Sequence, residues 1–125
     1  LAATLPLAAA ADPQPAGGPP PLGDAGRGES LFEGRCSACH SLDRDRVGPA
    51  LGGVVGRLAG SRPSYAYSPA LAAAGFGWTP ALVERWLASP QVLVPGQKMP
   101  ISVASPQDRA DLAAYLATTA APPSP

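Results

Sequence analysis

Cys36, Ser37, Ala38, Cys39 and His40 place two thiols three positions apart, with an imidazole directly after the second. That spacing is the attachment pattern of a c-type haem. Each thiol can add to one porphyrin vinyl group and leave a thioether. One helical turn brings positions 36 and 39 to the same edge of the ring. His40 then lies under the iron as its proximal ligand. Two other chemistries use Cys-x-x-Cys. A structural zinc site needs four ligands, usually two Cys/His pairs; no second pair exists, and His40 is the only histidine. A thioredoxin-type dithiol sits near a βαβ pattern, and the chain has no series of alternating strands.

A haem iron needs a ligand on its other face. With histidine used up, the sole methionine, Met99, is the candidate. It lies in Val94-Pro-Gly-Gln-Lys-Met99-Pro100, a loop stiffened by two prolines. Methionine more often fills gaps in a core, but a rigid, irregular loop suits ligation better. A neutral thioether favours ferrous iron, so His/Met ligation raises the reduction potential. Iron held by two protein ligands exchanges electrons and performs no bond chemistry. The expected activity is electron carriage, not enzymatic catalysis.

Some elements must position these groups. The 125 residues allow one domain. Seventeen prolines and fourteen glycines concentrate in ends and loops. They leave a foldable part of about 95 residues, too small for a large core of its own. A haem would add an apolar body to that core. Formal net charge is zero and no basic run occurs, which argues against nucleic acid. Both cysteines belong to the motif, so no disulfide framework is available.

Residues 1–23 divide into an apolar stretch, Leu1 to Ala11, and a Pro/Gly-rich linker, Asp12 to Gly23. The stretch reads as a signal remnant with small residues near Ala9 to Ala11, as the stub of a membrane anchor, or as a disordered alanine-rich extension. Eleven residues are too few to span a bilayer. The linker would suit a tethered domain.

Asp24 can cap a first helix that runs through Leu31 and Phe32 into the cysteine motif. Ser68-Pro69, Thr79-Pro80 and Ser105-Pro106 each pair an N-cap hydroxyl with proline at the first helical position. They predict helices over Pro69 to Ala74, Pro80 to Ala88, and Pro106 to about Thr118. Pro90 ends the helix over Pro80 to Ala88. Asp108 stands three residues after Ser105, as in a capping box. The glycines at 52, 53 and 56 predict backbone lying against something flat. Residues 120–125 predict a mobile, Pro-rich tail.

With both ligands placed, the sequence resembles the class I cytochromes c, nearest the mitochondrial cytochrome c and bacterial cytochrome c2 group. The match runs from about Gly26 to Thr118. Besides the cysteine motif and the Met99 loop, it rests on Gly28, Leu31-Phe32, Gly48-Pro-Ala-Leu51, Gly56-Arg57, Tyr65-Ala-Tyr67-Ser68, Trp78, Trp86-Leu87 and Asp111-Leu-Ala-Ala-Tyr115-Leu116. The resemblance implies an all-α fold, four to five short helices with long loops around one covalently bound haem c, over residues 24–119. It implies thioethers at Cys36 and Cys39, axial ligation by His40 and Met99, and a Pro49 carbonyl accepting from the His40 ring. It implies that Arg57, Tyr67 and Trp78 hold a haem propionate, and that Trp86 stands beside Met99 where the mitochondrial type has tyrosine. Gln97 replaces a usual threonine. Gly28, Phe32 and Tyr115 match the crossing of the first and last helices.

The implied function is one-electron transport in a respiratory or photosynthetic chain. The donor would be a bc1-type complex and the acceptor a terminal oxidase or reductase. Haem attachment of this kind follows export, so the implied compartment is the periplasm, with a possible membrane tether through the N-terminal segment. The alternative is a haem domain of a larger redox enzyme. The mitochondrial ring of lysines is missing, so partner contact would rest more on apolar edge residues such as Ala38, Val47, Ala50 and Ile101, or on tethering.

Overall fold

A computed structural model describes residues 21–122. The expected signal or anchor stretch and most of the linker, residues 1–20, lie outside the described residues, as do residues 123–125. Five helices follow in order: α1 (Ala25–Arg35), α2 (Pro69–Ala72), α3 (Pro80–Ala88), α4 (Pro90–Leu93) and α5 (Pro106–Ala117). Among the described residues there is no strand, only a single antiparallel bridge between Leu58 and Gly77.

The helix starts follow from their caps. The side chains of Asp24, Ser68, Thr79 and Ser105 each accept from a backbone N–H three residues on. This satisfies one of the donors that a helix start leaves open. At Ser105 the capping box is only half formed. Its hydroxyl takes the Asp108 N–H at 3.1 Å, but the Asp108 carboxylate turns away to Arg27 and Arg35. Pro90 ends α3 as expected. Ser89-Pro90 then repeats the hydroxyl-proline pair and starts α4, a helix the sequence reading does not include. Helix α2 stops at Ala72, shorter than the expected Ala74.

The core is small: Phe32, Val54, Ala59, Trp78, Val83, Leu87, Val103, Leu112, Ala113 and Leu116. Helices α1 and α5 cross at Gly28. A Cβ there would lie 2.0 Å from the Asp111 carbonyl oxygen and 2.7 Å from the Tyr115 Cβ. Phe32 and Tyr115 meet beside the crossing, with ring centroids 5.7 Å apart.

Asp111 is fully buried at the same crossing. Its carboxylate accepts from Arg27 Nη1 at 2.6 Å, the Asp24 amide at 2.8 Å and Gln107 Nε2 at 2.8 Å. Burial pushes this carboxyl up, but the three donors outweigh it and hold it below the usual carboxylate range. A buried charge is tolerable here because it is paired and hydrogen-bonded.

Gly52 and Gly53 lie close against backbone: Leu42 and Ala120 for the first, Ala121 for the second. Ala120 and Ala121, the start of the expected tail, run alongside these glycines and are themselves exposed. Gln107 Nε2 also donates to the Leu22 carbonyl at 2.9 Å, which fixes the end of the linker on α5.

Candidate functional site

Helix α1 delivers the cysteine motif. Cys36 is its C-cap, with its N–H bonded to Phe32 O at 2.9 Å. The Cys39 and His40 amides both donate to Cys36 O, at 3.1 and 2.9 Å, so the chain makes one more tight turn. Both thiols are partly exposed and form no disulfide. Before attachment, burial pushes the Cys36 thiol up against the pull of Arg35.

His40 is positioned from the following loop. Its Nδ1 lies 2.9 Å from the Pro49 carbonyl oxygen. A carbonyl only accepts, so Nδ1 carries the proton and Nε2 keeps its lone pair. Burial lowers the affinity of the ring for a second proton, and the nearby Arg46 charge lowers it further against the Pro49 bond. The imidazole is therefore neutral, the form that binds metal. Gly48 packs flat against it. A Cβ at Gly48 would fall 2.2 Å from His40 Cε1 and 2.7 Å from Nε2. Gly48 appears in the sequence only as part of a family pattern; its steric duty depends on a contact eight residues away.

Met99 sits in a bracketed loop. Gln97 accepts the Met99 amide at 2.6 Å and donates to the Met99 carbonyl at 3.0 Å. Lys98 Nζ donates to Ala66 O at 2.7 Å and stands over the Tyr65 ring. The Met99 side chain is half-buried and packs on the same core as Cys36 and Trp86. Trp86 meets Trp78 edge to face at 5.5 Å.

Arg57, Tyr67 and Trp78 converge. The Trp78 amide donates to Arg57 O at 2.9 Å, and Trp78 is buried. Arg57 is half-buried and donates to the carbonyls of Ala50 at 2.9 Å and Gly52 at 3.4 Å. No carboxylate of the described residues pairs with it. Burial lowers its pKa. A half-buried guanidinium without a carboxylate partner is suited to an anionic group. The Tyr67 hydroxyl accepts the Arg62 amide at 3.3 Å.

Of the apolar edge residues expected from sequence, Val47 and Ile101 are exposed, at 71% and 52%, and Ala38 is exposed as well. Ala50 is fully buried and is no edge residue. Its N–H is taken by Asp45 at 2.8 Å.

Two thiols one turn apart, a neutral imidazole with a free Nε2 and a bracketed thioether fit a covalent haem. They do not fit zinc: among the described residues no three His, Cys, Asp or Glu side chains gather around a metal position. The fold and this donor set define a monohaem c-type electron-transfer protein.

Comparison with known proteins gives the same class. The cytochrome c family model matches residues 25–120. The chain is 44% identical over 104 residues to cytochrome c2 of Rhodopila globiformis, covering 81% of this chain and 98% of the relative. It is 43% identical over 112 residues to cytochrome c2 of Rhodopseudomonas palustris, covering 76% and 97%. Among solved structures, cytochrome cH from Methylobacterium extorquens superposes with a TM-score of 0.73 at 43% identity, covering 78% of this chain and all of the other. The chain belongs to the cytochrome c family. It has the cytochrome c fold, carries one haem c bound through Cys36 and Cys39, and is an electron carrier.

Proposed function

We propose that this protein moves single electrons between redox complexes of the periplasm, with His40 and Met99 as the axial ligands of its haem, and that it is not an enzyme. The bound haem supplies the Fe(II)/Fe(III) couple; the chain supplies everything that tunes and orients it. Pro49 and Gly48 hold the imidazole by a hydrogen bond and by contact. Gln97 holds the methionine backbone. Arg57, with Tyr67 and Trp78 beside it, would hold a propionate, and Trp86 would lie on the Met99 side. The haem domain runs over residues 24–119, preceded by an export or anchor segment and linker. Donor and acceptor are a bc1-type complex and a terminal oxidase or reductase, met through an edge that includes Val47 and Ile101.

The observation that carries the reading is the His40 ring. Its Nδ1 is committed to Pro49, and its Nε2 is left for a metal, directly after two cysteines one turn apart. The test is carbon monoxide added to the reduced holoprotein at neutral pH. Iron closed on both faces gives no rapid change in the visible spectrum. Fast, complete binding would mean an open iron face and would sink the carrier reading.

A further inference from the structure

The loop after His40 does more than supply Gly48 and Pro49. Arg46 Nη1 donates to Ser37 O at 2.5 Å and, weakly, to His40 O at 3.5 Å; Nη2 donates to Ala38 O at 3.3 Å. Ser37 and Ala38 are the two residues between the cysteines. Their carbonyls lie where the helical turn runs out and lack intrahelical partners. A cation is favoured at such an end, and a planar fork can bridge two oxygens where an ammonium reaches one at a time. The backbone aims the fork: Arg46 N donates to Gly48 O at 2.8 Å, and Gly48 N to Cys39 O at 2.9 Å. One short loop thus presses glycine on the imidazole and a guanidinium on the turn.

The Arg46 charge is also uncompensated among the described residues. Its neighbour Asp45 is committed to Arg62 at 2.8 Å, and Asp43 lies nearest Arg44. We infer that Arg46 is a positioning residue for the haem-attachment turn and a fixed cation that favours the reduced iron. This rests on the haem site proposed above. Gaining an electron lowers the charge at the iron by one, so a nearby positive charge stabilises the ferrous form. Because Arg46 is exposed, the effect weakens as salt screens it.

The test uses holoprotein and its Arg46→Gln and Arg46→Lys variants, titrated optically against ferricyanide and ferrocyanide at low and high salt. At a fixed ambient potential and low salt, Arg46→Gln should lower the ferrous-to-ferric ratio about two- to fivefold, the size expected of one screened charge. The deficit should shrink at high salt, and Arg46→Lys should restore most of it. Amide exchange at Cys39 and His40 should quicken in both variants, because neither can bridge the two carbonyls. An unchanged ratio in Arg46→Gln, with haem bound and the spectrum intact, overturns the electrostatic role. Unchanged amide exchange overturns the positioning role. Should Arg46→Gln fail to mature, the neutral Arg46→Met gives the same two readings. A wild-type protein without covalent haem would instead refute the proposed function itself.

Discussion

Replacing Gly28 and Gly34 by alanine, one at a time, should move stability in opposite directions although both lie in α1. Alanine is favoured over glycine inside a helix by up to about 1 kcal/mol. At Gly34 nothing lies within 4 Å of the added methyl, so Gly34→Ala should keep much of that gain. At Gly28 the methyl would lie 2.0 Å from the Asp111 carbonyl oxygen and 2.6 Å from its carbon. Both obstacles are backbone, so no rotamer change relieves them. The two helices must part by over ~1 Å to reach ordinary contact distances. Such overpacking costs about 1–3 kcal/mol. Parting also stretches the bonds that Asp111 accepts from Arg27 and the Asp24 amide, each contributing about 1 kcal/mol.

Net of the helix gain, Gly28→Ala should destabilise by about 2 kcal/mol. For a domain of this size that is a fall in Tm on the order of 10 °C. Thermal unfolding of the two holoproteins, followed by far-UV circular dichroism, checks this. If Gly28→Ala melts at or above wild type, the close crossing of α1 and α5 is wrong.

Gly48→Ala should tilt the His40 ring, since its Cβ would overlap Cε1 at 2.2 Å; a destabilisation of about 2 kcal/mol and a changed Soret spectrum are expected, and an unchanged spectrum would count against the contact. Met99→Ala should lower the reduction potential and let carbon monoxide bind the reduced protein, read by optical redox titration and by the carbon monoxide difference spectrum; unchanged values would remove Met99 as a ligand. Burial pushes the Asp45 carboxyl up, but Ser64, Arg62 and the Ala50 amide outweigh it and hold it down at about 2, from an ordinary 3.8. Its stabilising contribution is therefore complete above the unfolded value and is lost as pH falls from near 4 through about 2. Urea midpoints of wild type and Asp45→Asn should converge across that window; parallel pH curves would show that the carboxylate contributes nothing.

The proposed docking edge would differ in kind from a charge-steered one. Arg46 is turned onto the motif and Lys98 onto Ala66, while Val47 and Ile101 are left exposed. Contacts of that composition depend less on ionic strength than a lysine ring would.

The chemistry of this protein was largely written in local order. Cys36, Cys39 and His40 are neighbours in the chain, and a single helical turn suffices to bring them together. The caps at Asp24, Ser68, Thr79 and Ser105 were legible for the same reason, because each bond spans three residues. Helix α4 carries the same Ser-Pro signal, but its Pro90 is also the residue that stops α3, and the stop hides the start. What only the tertiary structure decided are contacts between segments far apart in sequence. The Asp111 carboxylate is buried because Asp24, Arg27 and Gln107 converge on it. Asp108 abandons its capping box for arginines on another helix. Arg46 carries no motif in the sequence; the folded loop sets it on the carbonyls between the cysteines. Residue type and short spacing fix which group can act, but partners across the fold fix where each charge is held, and no local pattern encodes them.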